Sequence, residues 1–358
     1  MATKHLERVA IIGASGNIGR AFAEALLKTG KHTVTALKRK GSNSSVPTGV
    51  RVVEVDYDDD AALVSALQGQ QFLVVTLGTR VPEDLHPRIC AAAGKAGVGY
   101  IMPNKFGFPT PPTTATTATT TTAPPPPPPT TPAGQVARNA IQRIADVQNN
   151  GVSAYVTLNC GFWYEWSLAA GDPWFGFSIA ARKATFFDDG RRTITVSTWA
   201  QCGRALAALL SLPESSSSSF SSSDSAPSLA DFRNGHVNIA SWRVSQRDML
   251  DSLHRVLDTT DADWQIAYES TAQRVRDGVA ELGRGDYRGF AKNLYATVFA
   301  PPSGKDDDDD AAAVVDVYDY ARTQGTANEL LGLPEEDLDA ATRTAVEMVE
   351  SGWNPLGV

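Results

Sequence analysis

The chain has 358 residues, 42% of them hydrophobic and 20% charged, a composition that supports a packed core and excludes disordered and collagen-like classes. Thirty-two Lys and Arg stand against forty Asp and Glu, a net charge of -8 that gives no broad attraction to nucleic acid. Cys90, Cys160 and Cys202 are too few and too far apart for a disulfide framework, and read as buried thiols of a reducing compartment. No apolar run approaches the ~18 residues of a membrane helix and no leader pattern opens the chain, so a cytoplasmic protein without a membrane partner is expected.

From residue 8 to residue 158 short β-branched runs alternate with helical patterns, the signature of a parallel sheet covered by helices. Strands are expected at 9–12, 33–37, 51–55, 72–77 and 98–102. A helix after the first is marked by Ile18, Ala21, Phe22, Ala25 and Leu26 on one face, with Gly30 as its C-cap. Further helices are expected at 58–67 and 84–95, and Val136, Ala140, Ile144 and Val147 give the apolar face of a fourth before a strand at 153–158. Residues 1–158 therefore read as a Rossmann-type α/β doubly wound domain. Three low-complexity segments, 110–132 (Thr, Ala, Pro), 215–225 (Ser) and 303–310 (Asp-rich), read as surface loops. The proline run lacks the flanking basic residues of an SH3 or WW ligand and reads as a neutral insertion.

Residues 159–358 form a smaller, mostly helical lobe that opens with the aromatic cluster 162–166. Ser245-Gln246-Arg247-Asp248 is a capping box opening a helix, and more helices are expected at 271–282, 287–299 and 335–350.

Gly13-Ala14-Ser15-Gly16-Asn17-Ile18-Gly19 follows the first strand and opens the first helix. In that context the spacing points to a dinucleotide: Gly13 for the turn, Gly16 for close approach to a pyrophosphate, Gly19 for helix–strand packing. The second strand ends in Lys38-Arg39, where an NAD site carries an acid, and two cations there suit the 2′-phosphate of NADP(H). An ordinary solvated basic turn is the alternative. Asp56, at the end of the third strand, is placed to accept from the adenine amino group, and Thr76, Leu77 and Gly78 end the fourth strand near the expected crevice; an ordinary loop role for both stays open. No Tyr has a Lys four positions later, so the usual pair of short-chain dehydrogenases is absent, and no P-loop, GxSxG or HExxH occurs. His5, His32, His86, His236 and His254 are too scattered to mark a metal site.

With the glycine turn, Lys38-Arg39 and Pro103-Asn104-Lys105-Phe106-Gly107, the chain resembles the NmrA-like branch of the atypical short-chain dehydrogenases, which includes isoflavone and pinoresinol–lariciresinol type reductases. In the second lobe 160–168, 197–204, 261–264 and 331–334 resemble a fungal subgroup of NAD(P)-binding members, some acting in secondary metabolism. The resemblance implies NADP(H) as cofactor, Asn104 at the cofactor, and a small, aromatic or polyketide-like substrate. Its reductases carry a catalytic lysine at the start of the helix before the sixth strand; here that stretch reads Gln135-Val136-Ala137-Arg138-Asn139-Ala140. Lys105 and Tyr164 are then the candidate proton donors. A surface or phosphate-binding role for Lys105 and a core role for Tyr164 stay open. So does a second reading of the whole chain, a dinucleotide-binding sensor that acts through a regulatory protein partner.

Overall fold

The computed structural model describes residues 5–78, 81–110, 130–215, 226–301 and 316–354. Most of the three low-complexity segments lies outside the described residues, but the end of the first does not. Thr131 accepts a hydrogen bond from the Gly134 amide and Pro132 opens a helix, a position where the missing N–H costs nothing. What composition marked as loop is there a helix start.

The first half alternates as expected: β1 (Arg8–Ile12), α1 (Asn17–Lys28), β2 (Thr33–Arg39), β3 (Arg51–Val55), α2 (Asp60–Leu67), β4 (Phe72–Val75), α3 (Leu85–Lys95), β5 (Tyr100–Met102), α4 (Pro132–Gln148) and β6 (Ala154–Asn159). α1 ends at Thr29, with Gly30 just beyond it at a φ of +67°. All strand pairs in the main sheet are parallel, in the order β6, β5, β4, β1, β2, β3. A seventh strand, Gly235–Asn238, pairs with β6 outside it, so the nucleotide-binding sheet borrows an edge from beyond residue 158.

Both faces of the sheet are covered, and its strands divide their side chains accordingly. Val9 and Ile11 of β1 and Phe72 and Val74 of β4 pack on one face with Phe22 and Leu26 of α1. Ala10, Ile12, Leu73 and Val75 pack on the other with Leu63 of α2 and Ile89 of α3. Helix Trp199–Leu210 lies against α1, and Gly203 sets the approach: a Cβ there would stand 2.6 Å from the Ala21 carbonyl oxygen.

α4 departs from its expected face. Val147 is buried, but Val136 is 39% exposed and Ala140 and Ile144 are half-buried. Its first turn packs on the second lobe, where the Ala133 amide donates to Asn293. The intervening turns border open clefts instead of the sheet.

The second lobe has its own core around Tyr164, Phe175, Phe187, Tyr295 and Phe299. Its helices include Gln246–Leu257, Thr271–Gly283, Arg288–Phe299 and Leu338–Glu350, joined by two small three-stranded sheets. The Ser245–Asp248 capping box forms with both bonds in place. Among the described residues no helix is long and apolar enough to cross a membrane.

Candidate active site

β1 ends at Ile12 and the chain turns at Gly13, whose φ of +85° is left-handed. A Cβ on Gly13 would lie 2.0 Å from the Thr76 carbonyl oxygen, and one on Gly19 2.2 Å from the Gly13 carbonyl oxygen. Both glycines are therefore required by the approach of α1 to the strands. Gly16 is different: a Cβ there meets only the Gly13 carbonyl oxygen, at 3.4 Å. Packing tolerates a side chain at Gly16, whereas a phosphate laid on the backbone would not. Gly16 is the N-cap of α1, with no side-chain cap and no acid in the first turn, so the free N–H groups and helix dipole are left for an anion. Gly16 and Asn17 are exposed, while Ile18 and Gly19 are buried and can contribute backbone alone.

On the β2 side a cleft of about 540 Å³ is lined by Gly13, Ala14 and Ser15, then Lys38 and Arg39, then Ser42, Ser44 and Tyr57. The strand register sets Lys38 opposite Glu54, and its Nζ lies 3.6 Å from that carboxylate. Arg39 has no carboxylate partner among the described residues, which makes it the freer cation for a 2′-phosphate. Ser42 and Ser44, which sequence reasoning missed, add hydroxyls beside it. Asp56 does not line this cleft: its carboxylate accepts the Asp58 amide at 3.0 Å, and Tyr57 and Asp58 border the cleft instead.

Leu77 and Gly78 border both this cleft and a second one, of about 880 Å³, on the β4–β5 side. Thr76 donates its hydroxyl to the Ile12 carbonyl at 2.7 Å, tying β4 to the glycine turn. Asn104 makes two bonds to Leu77, accepting from its amide and donating to its carbonyl, each 3.1 Å. Gln135, Val136 and Asn139 of α4 form the opposite wall, and Leu282, Tyr287 and Phe290 of the second lobe form the rim.

Lys105 lines this second cleft and is 2% exposed. Its Nζ donates to the Phe108 carbonyl at 3.0 Å and to the Asn159 side-chain oxygen, which leaves one of its three donors. No carboxylate joins it among the described residues, and burial lowers its pKa to about 8. Through Phe106, Val136 and Ala140 the second cleft meets a third, of about 370 Å³, walled by Phe108, Phe162, Trp163, Trp166, Tyr295 and Tyr318.

The structure thus gathers the glycine turn, Lys38, Arg39, Thr76, Leu77, Gly78, Asn104 and Lys105 along one groove. Tyr164 is not brought there. It is fully buried in the second-lobe core, its hydroxyl 2.7 Å from that of Thr342, and burial raises its pKa. Among the described residues no group of three or more metal-ligating side chains occurs.

An open parallel sheet with a glycine turn, an uncapped helix N-terminus and a groove across the carboxyl ends of its strands defines a dinucleotide-binding Rossmann protein. The profile of a family described as NAD(P)H-binding matches residues 13–122. An oxidoreductase of Aspergillus flavus is 26% identical over 336 residues, 93% of this chain and 96% of that protein. The fold is shared with a crystal structure of isoflavone reductase, at a TM-score of 0.63 and 18% identity over 96% of this chain and 100% of that one. It is shared too with an NADPH-dependent quinone oxidoreductase from Escherichia coli, at a TM-score of 0.58 and 19% identity over 95% and 99%. Residues 13–122 thus match an NAD(P)H-binding family, and the matches taken together are consistent with an NmrA-like, isoflavone reductase-like chain.

Proposed function

We propose that this protein is an NADPH-dependent reductase of a small aromatic or polyketide-like compound, with Lys105 as proton donor. The observation that carries this reading is the Lys105 amine, buried with no carboxylate partner among the described residues where the β4–β5 cleft approaches an aromatic pocket. Arg39 and Lys38 would hold the ribose 2′-phosphate, and the α1 N-terminus with Gly16 the pyrophosphate. When bound, reduced nicotinamide supplies a hydride to a conjugated C=C or C=O carbon. The Lys105 ammonium gives the matching proton and becomes a neutral amine, the form that burial favours, and a pKa of about 8 suits transfer near neutral pH. Phe106 and the aromatic walls would receive the substrate ring and exclude water. The missing lysine on α4 favours a sensor, but Lys105 supplies an amine at the same cleft, which favours chemistry.

Titration calorimetry with NADPH, NADP, NADH and NAD, followed by NADPH oxidation with a panel of quinones and aromatic enones, tests the proposal. NADPH is expected to bind more tightly than NADH, with Arg39→Ala removing that difference. Lys105→Met should lower turnover by about 10²–10⁴ while leaving NADPH affinity within a few-fold. Full turnover in Lys105→Met would overturn the role of Lys105. Binding without turnover on any acceptor would favour the sensor, and no dinucleotide binding would overturn both readings.

A further inference from the structure

Beneath the β4–β5 cleft a hydrogen-bonded chain joins α3, α4 and the loops that follow β4 and β5. His86, in the first turn of α3, is fully buried, and its Nδ1 stands 2.7 Å from the Asp146 carboxylate of α4. Its other nitrogen, Nε2, accepts the backbone N–H of Asn104 at 3.2 Å. Asn104 in turn holds Leu77 with the paired bonds described above. The β4–β5 ladder ends at Val74 and Met102, so the Asn104 side chain continues the pairing after the two strands have parted. Asp146 is 5% exposed, and its charge is met by His86, by Gln142 at 2.8 Å and by Arg143 at 3.7 Å.

This arrangement permits one state of the histidine. Nε2 can accept from Asn104 only when the ring is neutral and its proton sits on Nδ1, and the Asp146 carboxylate selects that tautomer. Burial holds the ring neutral across the physiological range, with its pKa lowered to about 4. Here both nitrogens are engaged, and the bond from Nε2 ends on the residue beside Lys105.

We infer that His86, oriented by Asp146, is a positioning residue that fixes Asn104 and through it the 77–78 loop, shaping the half of the groove that takes the nicotinamide end of the dinucleotide. A dinucleotide with its pyrophosphate on α1 and its adenosine over β2 has its other end over β4 and β5. The inference rests on the dinucleotide reading, and its test separates the two.

Binding of NADP and of adenosine 2′,5′-bisphosphate, which reaches only the β2 side, is measured by calorimetry for the wild type, His86→Leu and His86→Gln. Amide hydrogen exchange of the unliganded proteins is followed in the peptides spanning 73–78 and 103–106. His86→Leu should weaken NADP at least tenfold while leaving the bisphosphate within twofold, and should speed exchange in those two peptides with α1 unchanged. His86→Gln keeps an acceptor for Asn104 and a donor for Asp146, and should return NADP affinity to within threefold of the wild type. Equal loss of both ligands, or loss of protection throughout the chain, would mark a merely structural histidine and overturn the inference. So would unchanged exchange in the two peptides. Wild-type protein that binds neither ligand would overturn the dinucleotide reading, while the exchange result still decides whether His86 fixes the loop.

Discussion

At the scale of a residue, Lys105 sets the terms. A lysine held by neutral acceptors in a dry site keeps its native pKa near 8 against an ordinary 10.5, so between those values the unfolded chain binds more protons than the folded one. Stability therefore rises with pH through that window, and at pH 7 the buried ammonium costs up to about 3 kcal/mol. Lys105→Met, apolar and similar in length, is expected to raise the melting temperature at pH 7 by a few degrees even as it removes turnover. A fall in melting temperature would show that its two hydrogen bonds outweigh its desolvation. Asn159 offers a finer control, because its side-chain oxygen is a neutral partner of the amine. Asn159→Asp puts an anion there and raises the lysine pKa, so the alkaline limb of the NADPH oxidation profile should move up by at least one pH unit. An unmoved limb would mean that another group donates the proton.

At the scale of an element, the glycine turn separates two kinds of requirement that the sequence spells identically. Gly19→Ala drives a methyl into the Gly13 backbone, whereas Gly16→Ala meets that backbone only at 3.4 Å. The expected result is a split: Gly19→Ala loses about 2 kcal/mol or more in urea unfolding, while Gly16→Ala unfolds like the wild type and binds NADPH at least tenfold more weakly. If both lose stability equally, the phosphate role of Gly16 fails. The strand and helix alternation from β1 to β6 was legible because each element carries its own period, and the capping box at Ser245 because its bonds are local. The seventh strand was not, since Gly235–Asn238 holds only one buried side chain, Val237, and finds its place by pairing with a strand 79 residues earlier. Val136 misled for a related reason. Its spacing is that of a core face, but the second lobe occupies the first turn of α4 and leaves Val136 on a cleft. The site divided in the same way. The glycine turn proposed to hold phosphate is contiguous in sequence and readable, but His86, Asp146, Asn159 and the aromatic walls meet only through the fold. Tyr164 shows the converse, since an aromatic cluster does not reveal which ring faces a cleft.

At the scale of the whole molecule, stability should depend on pH through groups set far apart. His32, His86 and His236 all have lowered native pKa values, with burial as the largest cause, so between those values and 6.5 the unfolded chain takes up more protons. Their contribution is complete above about pH 6.5 and is lost as the pH falls; for His86 alone the loss approaches about 3 kcal/mol by pH 4. Glu165 runs the other way. Burial raises its pKa to about 7, one carboxylate oxygen takes the Trp199 amide and the other has no hydrogen-bond partner among the described residues, so the native state gains a proton that the unfolded chain does not hold above about pH 4.5. That gain strengthens the fold as the pH falls through 7. Three histidines oppose one carboxyl, and net stability should decline from pH 7.5 to pH 5 with a shallow slope. Urea unfolding across that range tests the balance by difference. His86→Gln should flatten the decline, and Glu165→Gln, fixed in the neutral form, should steepen it and be more stable than the wild type at pH 8. If the two variants change the slope in the same direction, the groups are not the opposed pair that their burial makes them.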